Sequence, residues 1–395
     1  MLVNQHGAGR ANGPRYFARF GTALLDLRDR KFEPEENLDA IVNSLQRDSR
    51  VEEVFDYVGD HTWSSLRQMR PSTEHYCSEC LLTGKDAYGV VHFGGAIAFK
   101  LHVPKKNQPV INGAADSPTD DYWVAWDGVS IIVLWSSGGA SVPPMSAGHV
   151  AFDVISAAAS NAQMEVHEQA CSPGCKNRFT HGNISLSSGP PESSDIKITT
   201  SEWIMDFEIP SLEDELQALD ILEAHLMYTG QVFATFKNEA RRILELEEFA
   251  QILVSELLVE ESPRYARGSA SRRWRLLGFL KRLVTFSAVR KSFRVRGISS
   301  DLWLCMANID LLMRQIAESE FDLTRSFDDE KSQGLFMKDL QRDMDALKRI
   351  DLGFARSAVE QSASRRDSRT VAASTILGAL AGAVAGAIGA GVLGS

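Results

Sequence analysis

Residues 122–126, Tyr-Trp-Val-Ala-Trp, are followed by Asp127-Gly128 and then by Val-Ser-Ile-Ile-Val-Leu-Trp at 129–135. Two runs rich in β-branched and aromatic residues around a dipeptide that accepts positive φ predict a β-hairpin. Working outward, 87–93 and 96–103 have the composition of further strands. Residues 147–163 carry apolar residues at helical spacing, and a short strand is expected at 164–167. Residues 1–15 are rich in Gly, Asn and Arg and are expected to be disordered. The region 16–205 therefore reads as an α+β domain whose sheet contains the hairpin. Within it, the Ser/Pro/Gly-rich stretch 186–198 reads as a surface loop.

Past Pro210 the pattern changes. Ser211 followed by Glu213 and Asp214 offers a hydroxyl and carboxylates to the free N–H groups of a new helix. A helical region is predicted over 211–369, with a helix or pair across 211–261, another across 270–292, one opening near Ser300 and a last one from about 328. In the last, Phe336, Leu340, Met344, Leu347, Ile350 and Phe354 make one apolar stripe. The stripe fits packing on preceding helices, or a coiled coil with another copy.

The final segment, 370–395, has no charged side chain and is rich in Gly and Ala. About 24 helical residues would span roughly 36 Å, enough for a hydrocarbon core of about 30 Å. The expectation is a single C-terminal transmembrane helix, with Arg365, Arg366 and Arg369 holding the bulk of the chain on the cytoplasmic side. A buried core helix is the alternative. Gly378, Gly382, Gly386, Ala390 and Gly394 recur every fourth position, a spacing that lets helix backbones approach and self-associate. A homo-oligomer is therefore expected, although the small residues also suit a passive anchor.

Four of the five cysteines form two close pairs, Cys77/Cys80 and Cys171/Cys175. Four thiolates from two such loops satisfy tetrahedral zinc, so a structural zinc clip is expected, with ordinary thiols or a redox pair as alternatives. Cys305, between apolar neighbours, reads as core. From 262 to 300 there is no acidic residue, while Arg272, Arg273, Arg275, Lys281, Arg282, Arg290 and Lys291 lie there among aromatics and leucines. Such a stretch suits membrane lipid, or an anionic ligand such as a nucleotide or RNA. It also suits pairing with the acidic helix before it.

A net charge of −10 argues against general binding of double-stranded nucleic acid. No phosphate loop, dinucleotide fingerprint, zinc-protease helix or nucleophile elbow is present, so no enzyme is predicted. Together these features predict a membrane-anchored sensor and effector that self-associates through its tail and perturbs the membrane, as in bacterial defence against phage. The alternative is a tethered scaffold or anionic-ligand module.

Overall fold

The structure is a computed structural model. It describes residues 15–27, 33–55, 64–65, 90–93, 95–109, 118–138, 140, 143–144, 146–169, 175–190, 195–201, 203–261, 286–326 and 333–364. The chain divides into two compact units. The first comprises 1–80, 84–242 and 313–348, and the second 81–83, 243–312 and 349–395.

The first unit is built around β1 (Arg15–Asp26), a twelve-residue strand buried at every position but its first. Burial of both parities, with Arg19, Thr22 and Asp26 among mostly apolar residues, marks a strand covered on both faces. One edge of β1 pairs with β7 (Ser130–Ser136), from Tyr16↔Ser136 to Thr22↔Ser130, and beyond it with β4 (Val90–His92). The other edge pairs with β9 (Asn183–Gly189) and beyond it with β8 (Glu165–Glu168). The sheet then extends through β6 (Asp121–Trp126), β5 (Ile97–His102) and β2 (Val51–Val54) on one side, and through β11 (Ile204–Pro210) and β10 (Lys197–Thr200) on the other. The pairing of β9 with β11 is parallel; the rest are antiparallel. A two-residue strand, β3 (Ser64–Ser65), pairs with β4.

Side chains alternate along β1, so each parity faces one layer. Phe17 and Leu25 join a core with Leu38, Ile41 and Leu45 of α1 (Pro34–Arg47) and with Phe152 and Ile155 of α2 (Val150–Asn161). Phe20 and Leu24 face the opposite layer. Leu24 packs with Val129 and with Ala234 of α3 (Glu215–Glu261), while the Phe20 ring meets Phe336 of α5 (Gln333–Lys348) edge-on at 5.0 Å. Phe233 of α3 completes that cluster, 4.8 Å from Phe336. The sheet is thus sandwiched between α1 and α2 on one face and between the first half of α3 and α5 on the other.

The second unit is helical. The later part of α3, the first part of α4 (Phe286–Ser326) and helical residues 353–364 bury Leu246, Leu253, Leu302, Ile309 and Ala355. Cys305 is fully buried there, and its thiol, 3.0 Å from the Leu246 carbonyl, is pushed up to about 12 by burial.

Several expectations change. No helix among the described residues is long and apolar enough to cross a membrane. That finding counts against the transmembrane helix in the expected fold and against the single-pass membrane location, and both are withdrawn. Residues 371–393 themselves lie outside the described residues. The stretch 186–198 is not one loop, because β9 continues to Gly189 and β10 begins at Lys197. Its serines are held extended between β1 and β11, a case of sheet pairing overriding weak strand propensity. No helix opens at Ser300, since α4 runs through it. The apolar stripe of α5 holds from Phe336 to Leu347, but the helix stops at Lys348, leaving Phe354 65% exposed.

The hairpin forms as expected, with its turn one residue later. Trp126 pairs with Ile131, and Gly128 has φ +88° while Val129 does not adopt positive φ. The central positions are therefore Gly128-Val129, with Gly first as a type II′ turn requires. Asp127 acts as the cap: its Oδ1 accepts from the backbone N–H groups of Val129 (2.8 Å) and Ser130 (2.5 Å), and its Oδ2 accepts from Gln231 Nε2 at 2.9 Å.

Candidate metal centre

The end of β1 lies beside β8 with Asp26 directly opposite Glu165 and Leu24 opposite His167. Residues two apart on a strand point to one face, so Glu165 and His167 project together, alongside Asp26. One oxygen from each carboxylate and one imidazole nitrogen lie within 4.8 Å of one another. The Asp26 side chain is 2% exposed and that of His167 9%, and Glu165 is half-buried.

The geometry admits two uses of this cluster. His167 Nε2 stands 3.3 Å from Asp26 Oδ2. A charge-assisted N–H···O bond settles at about 2.7–2.9 Å. Two ligands held about 2.1 Å from one tetrahedral ion are about 3.4 Å apart. The observed 3.3 Å serves either use: the two groups are an ion pair as they stand, and they are spaced to flank an ion with Glu165 as a third ligand.

A second group, Glu52, His102 and Asp121, has similar chemistry on β2, β5 and β6 but is exposed. There Lys100 Nζ already sits 2.6 Å from Glu52, and His102 Nδ1 lies 2.8 Å from Asp121. The hydrogen bond to Asp121, with the nearby carboxylates, raises the His102 pKa. An ammonium in place and an imidazole favoured as cation make this a surface ion-pair cluster, since a metal would have to displace both charges.

Further buried charges among the described residues of the first unit tie helices to the sheet. Asp339 of α5 accepts from the backbone N–H of His181 at 3.0 Å and lies 2.6 Å from its Nδ1. Lys237 of α3 is 3.4 Å from Asp343 and lies over the Phe233 ring. Burial pushes the Asp343 carboxyl up, against the pull of Lys237. Burial would also raise Asp339, but the bonds from His181 and the Lys237 charge outweigh it and hold that carboxyl below its usual range. Gln169, Thr22 and Thr180 border the same polar cavity, of about 10 Å³, room for one water.

Of the residues singled out in the sequence, Cys77, Cys80 and Cys171 lie outside the described residues, and Cys175 is half-buried on the segment before β9. Arg272, Arg273, Arg275, Lys281 and Arg282 also lie outside them, and of Arg290 and Lys291 only the place on α4 is described. Arg294, from the same basic stretch, forms an ion pair with Glu260 of α3 at 3.3 Å. Gly378, Gly382, Gly386, Ala390 and Gly394 fall outside as well. The cluster on β1 and β8 was not anticipated. Its only local signal is Glu-Val-His at 165–167, and Asp26 is supplied by pairing across some 140 residues of chain.

Compared with protein-family models, with curated proteins and with solved structures, the chain matches none.

Proposed function

We propose that the chain is a cation-binding protein, in which Asp26, Glu165 and His167 hold one divalent ion at the paired ends of β1 and β8. The carrying observation is the convergence of a buried imidazole nitrogen and two carboxylates, one ligand atom of each within 4.8 Å of the others, with Asp26 and His167 shielded from solvent. One nitrogen and two oxygen donors suit a first-row ion such as zinc or manganese. Calcium prefers six to eight oxygens, and magnesium keeps its waters. Three protein ligands leave a fourth position for water or an anionic group. The expected sensor role is thereby narrowed to its binding half, and the effector half, which needed the membrane anchor, is not carried further. The expected cysteine zinc clip uses other residues, Cys77, Cys80, Cys171 and Cys175, and stays a distinct proposal.

Titrating chelator-treated full-length protein with Mn²⁺, an ion poorly matched to thiolates, tests the reading. One ion per chain and a rise in Tm are expected, both lost in Asp26→Asn and in His167→Ala. Absence of any Mn²⁺ or Zn²⁺ effect that these variants remove leaves Asp26 and His167 as a structural pair and ends the proposal.

A further inference from the structure

The second unit leaves part of its helical surface uncovered. Along the last turns of α3, Ile252 is 51% and Val259 69% exposed, and both line one groove. They are seven residues apart, hence two turns and about 10 Å along one side of the helix. Glu248, Glu256 and Glu260 border them, and with Arg294 of α4 they line an open groove of about 540 Å³. Among the described residues Arg294 is the one cation lining the groove and is engaged by Glu260, so Glu248 and Glu256 leave the described part of the rim acidic around an apolar floor.

We infer that this groove docks an amphipathic helix of a partner polypeptide, one with two apolar anchors seven residues apart and Lys or Arg beside them. Charge complementarity argues for a basic occupant. A neutral or acidic helix would leave Glu248 and Glu256 without partners, and an anionic lipid surface would be repelled by the rim. Helix-in-groove recognition supplies the rest: the anchors displace water from Ile252 and Val259 while the basic flanks fix the direction of the helix. The inference is independent of the metal centre.

The probe is a fluorescein-labelled amphipathic Leu/Lys helix, with its Leu/Glu counterpart as control, followed by anisotropy with the full-length chain. Saturable binding of the Leu/Lys peptide alone is expected. It should weaken at least tenfold in Ile252→Gln/Val259→Gln and, separately, in Glu248→Gln/Glu256→Gln. These side chains are exposed, so unchanged Tm and circular dichroism confirm that each variant still folds. Three results overturn the inference: no binding, binding that ignores the apolar pair and so reflects diffuse attraction, or a concentration-dependent dimer of the chain alone that the same variants dissolve, which would assign the groove to a second copy.

Discussion

Asp339 on α5 takes two hydrogen bonds from one residue, His181, whose backbone N–H and Nδ1 both lie within 3.0 Å of its carboxylate. The carboxylate can only accept, so the imidazole presents Nδ1–H to it. This double contact, beside Gly182 packed directly on Leu335, fixes α5 to the segment that leads into β9.

Replacing Asp339 by Ala should therefore destabilise the protein by about 2–4 kcal/mol, because buried donors lose a charged acceptor. The pH dependence has a definite sign. A carboxyl held below its unfolded pKa contributes stability that is present above that pKa and is lost as the pH falls through the lower folded value. Urea unfolding between pH 7 and pH 2 should show the acid-side loss in the wild type and a flatter acid limb in Asp339→Asn.

Lys237 and Asp343 form a buried pair, 7% and 13% exposed. Lys237→Met alone should cost about 3 kcal/mol by stranding the carboxylate, and Lys237→Met/Asp343→Leu should recover most of it. A double-mutant cycle measures the coupling. A loss in the double variant equal to the sum of the two single losses would show that the pair does not act as a unit.

Gly230 gives a sign opposite to helix propensity. Ala is favoured over Gly inside a helix by about 1 kcal/mol. A Cβ at 230, however, would overlap the Phe20 ring and come within 2.9 Å of Ser130 Oγ. Gly230→Ala should lower stability by about 1–3 kcal/mol through overpacking, and Phe20→Leu in the same chain should relieve part of that loss. Thermal unfolding of the three variants checks it.

Bound ion should also stabilise by mass action. At a free Mn²⁺ concentration 100 times its Kd, the gain is about 2.7 kcal/mol. Glu165→Gln, which changes the half-buried ligand, should shift the Mn²⁺ concentration needed for that gain upward while leaving the ion-free Tm nearly unchanged. Calorimetric scans over a range of Mn²⁺ concentrations distinguish this from a general effect on folding.

What the sequence disclosed follows the range of the interactions. The 122–135 hairpin and α2 are local, and their period and turn residues suffice to find them. The one-residue displacement of the turn is set by Asp127, whose carboxylate is recruited by Gln231 from α3, a partner more than a hundred residues away. α1 went unnamed although Pro34, Glu35 and Glu36 open it and Leu38, Ile41 and Leu45 share one face. That signal was present in the sequence. β9 had no such signal: Ser185, Ser187 and Ser188 become strand only because β1 and β11 flank them. The proposed metal centre lies at the far end of this scale, since nothing near Asp26 indicates that Glu165 will face it.

The placement of β1 also governs the order in which the molecule can be made. It precedes every other described strand, yet its partners are spread from Val90 to Gly189. At about 5–20 residues per second of synthesis, roughly 10–30 s separate the emergence of β1 from that of its last neighbour. For that interval the nascent chain carries a strand that is buried at eleven of twelve positions in the finished fold and has only some of its partners available. Native pairing can begin with β4 and β7 but closes only when β9 arrives, so the delay falls on the ribosome and on whatever shields hydrophobic segments there.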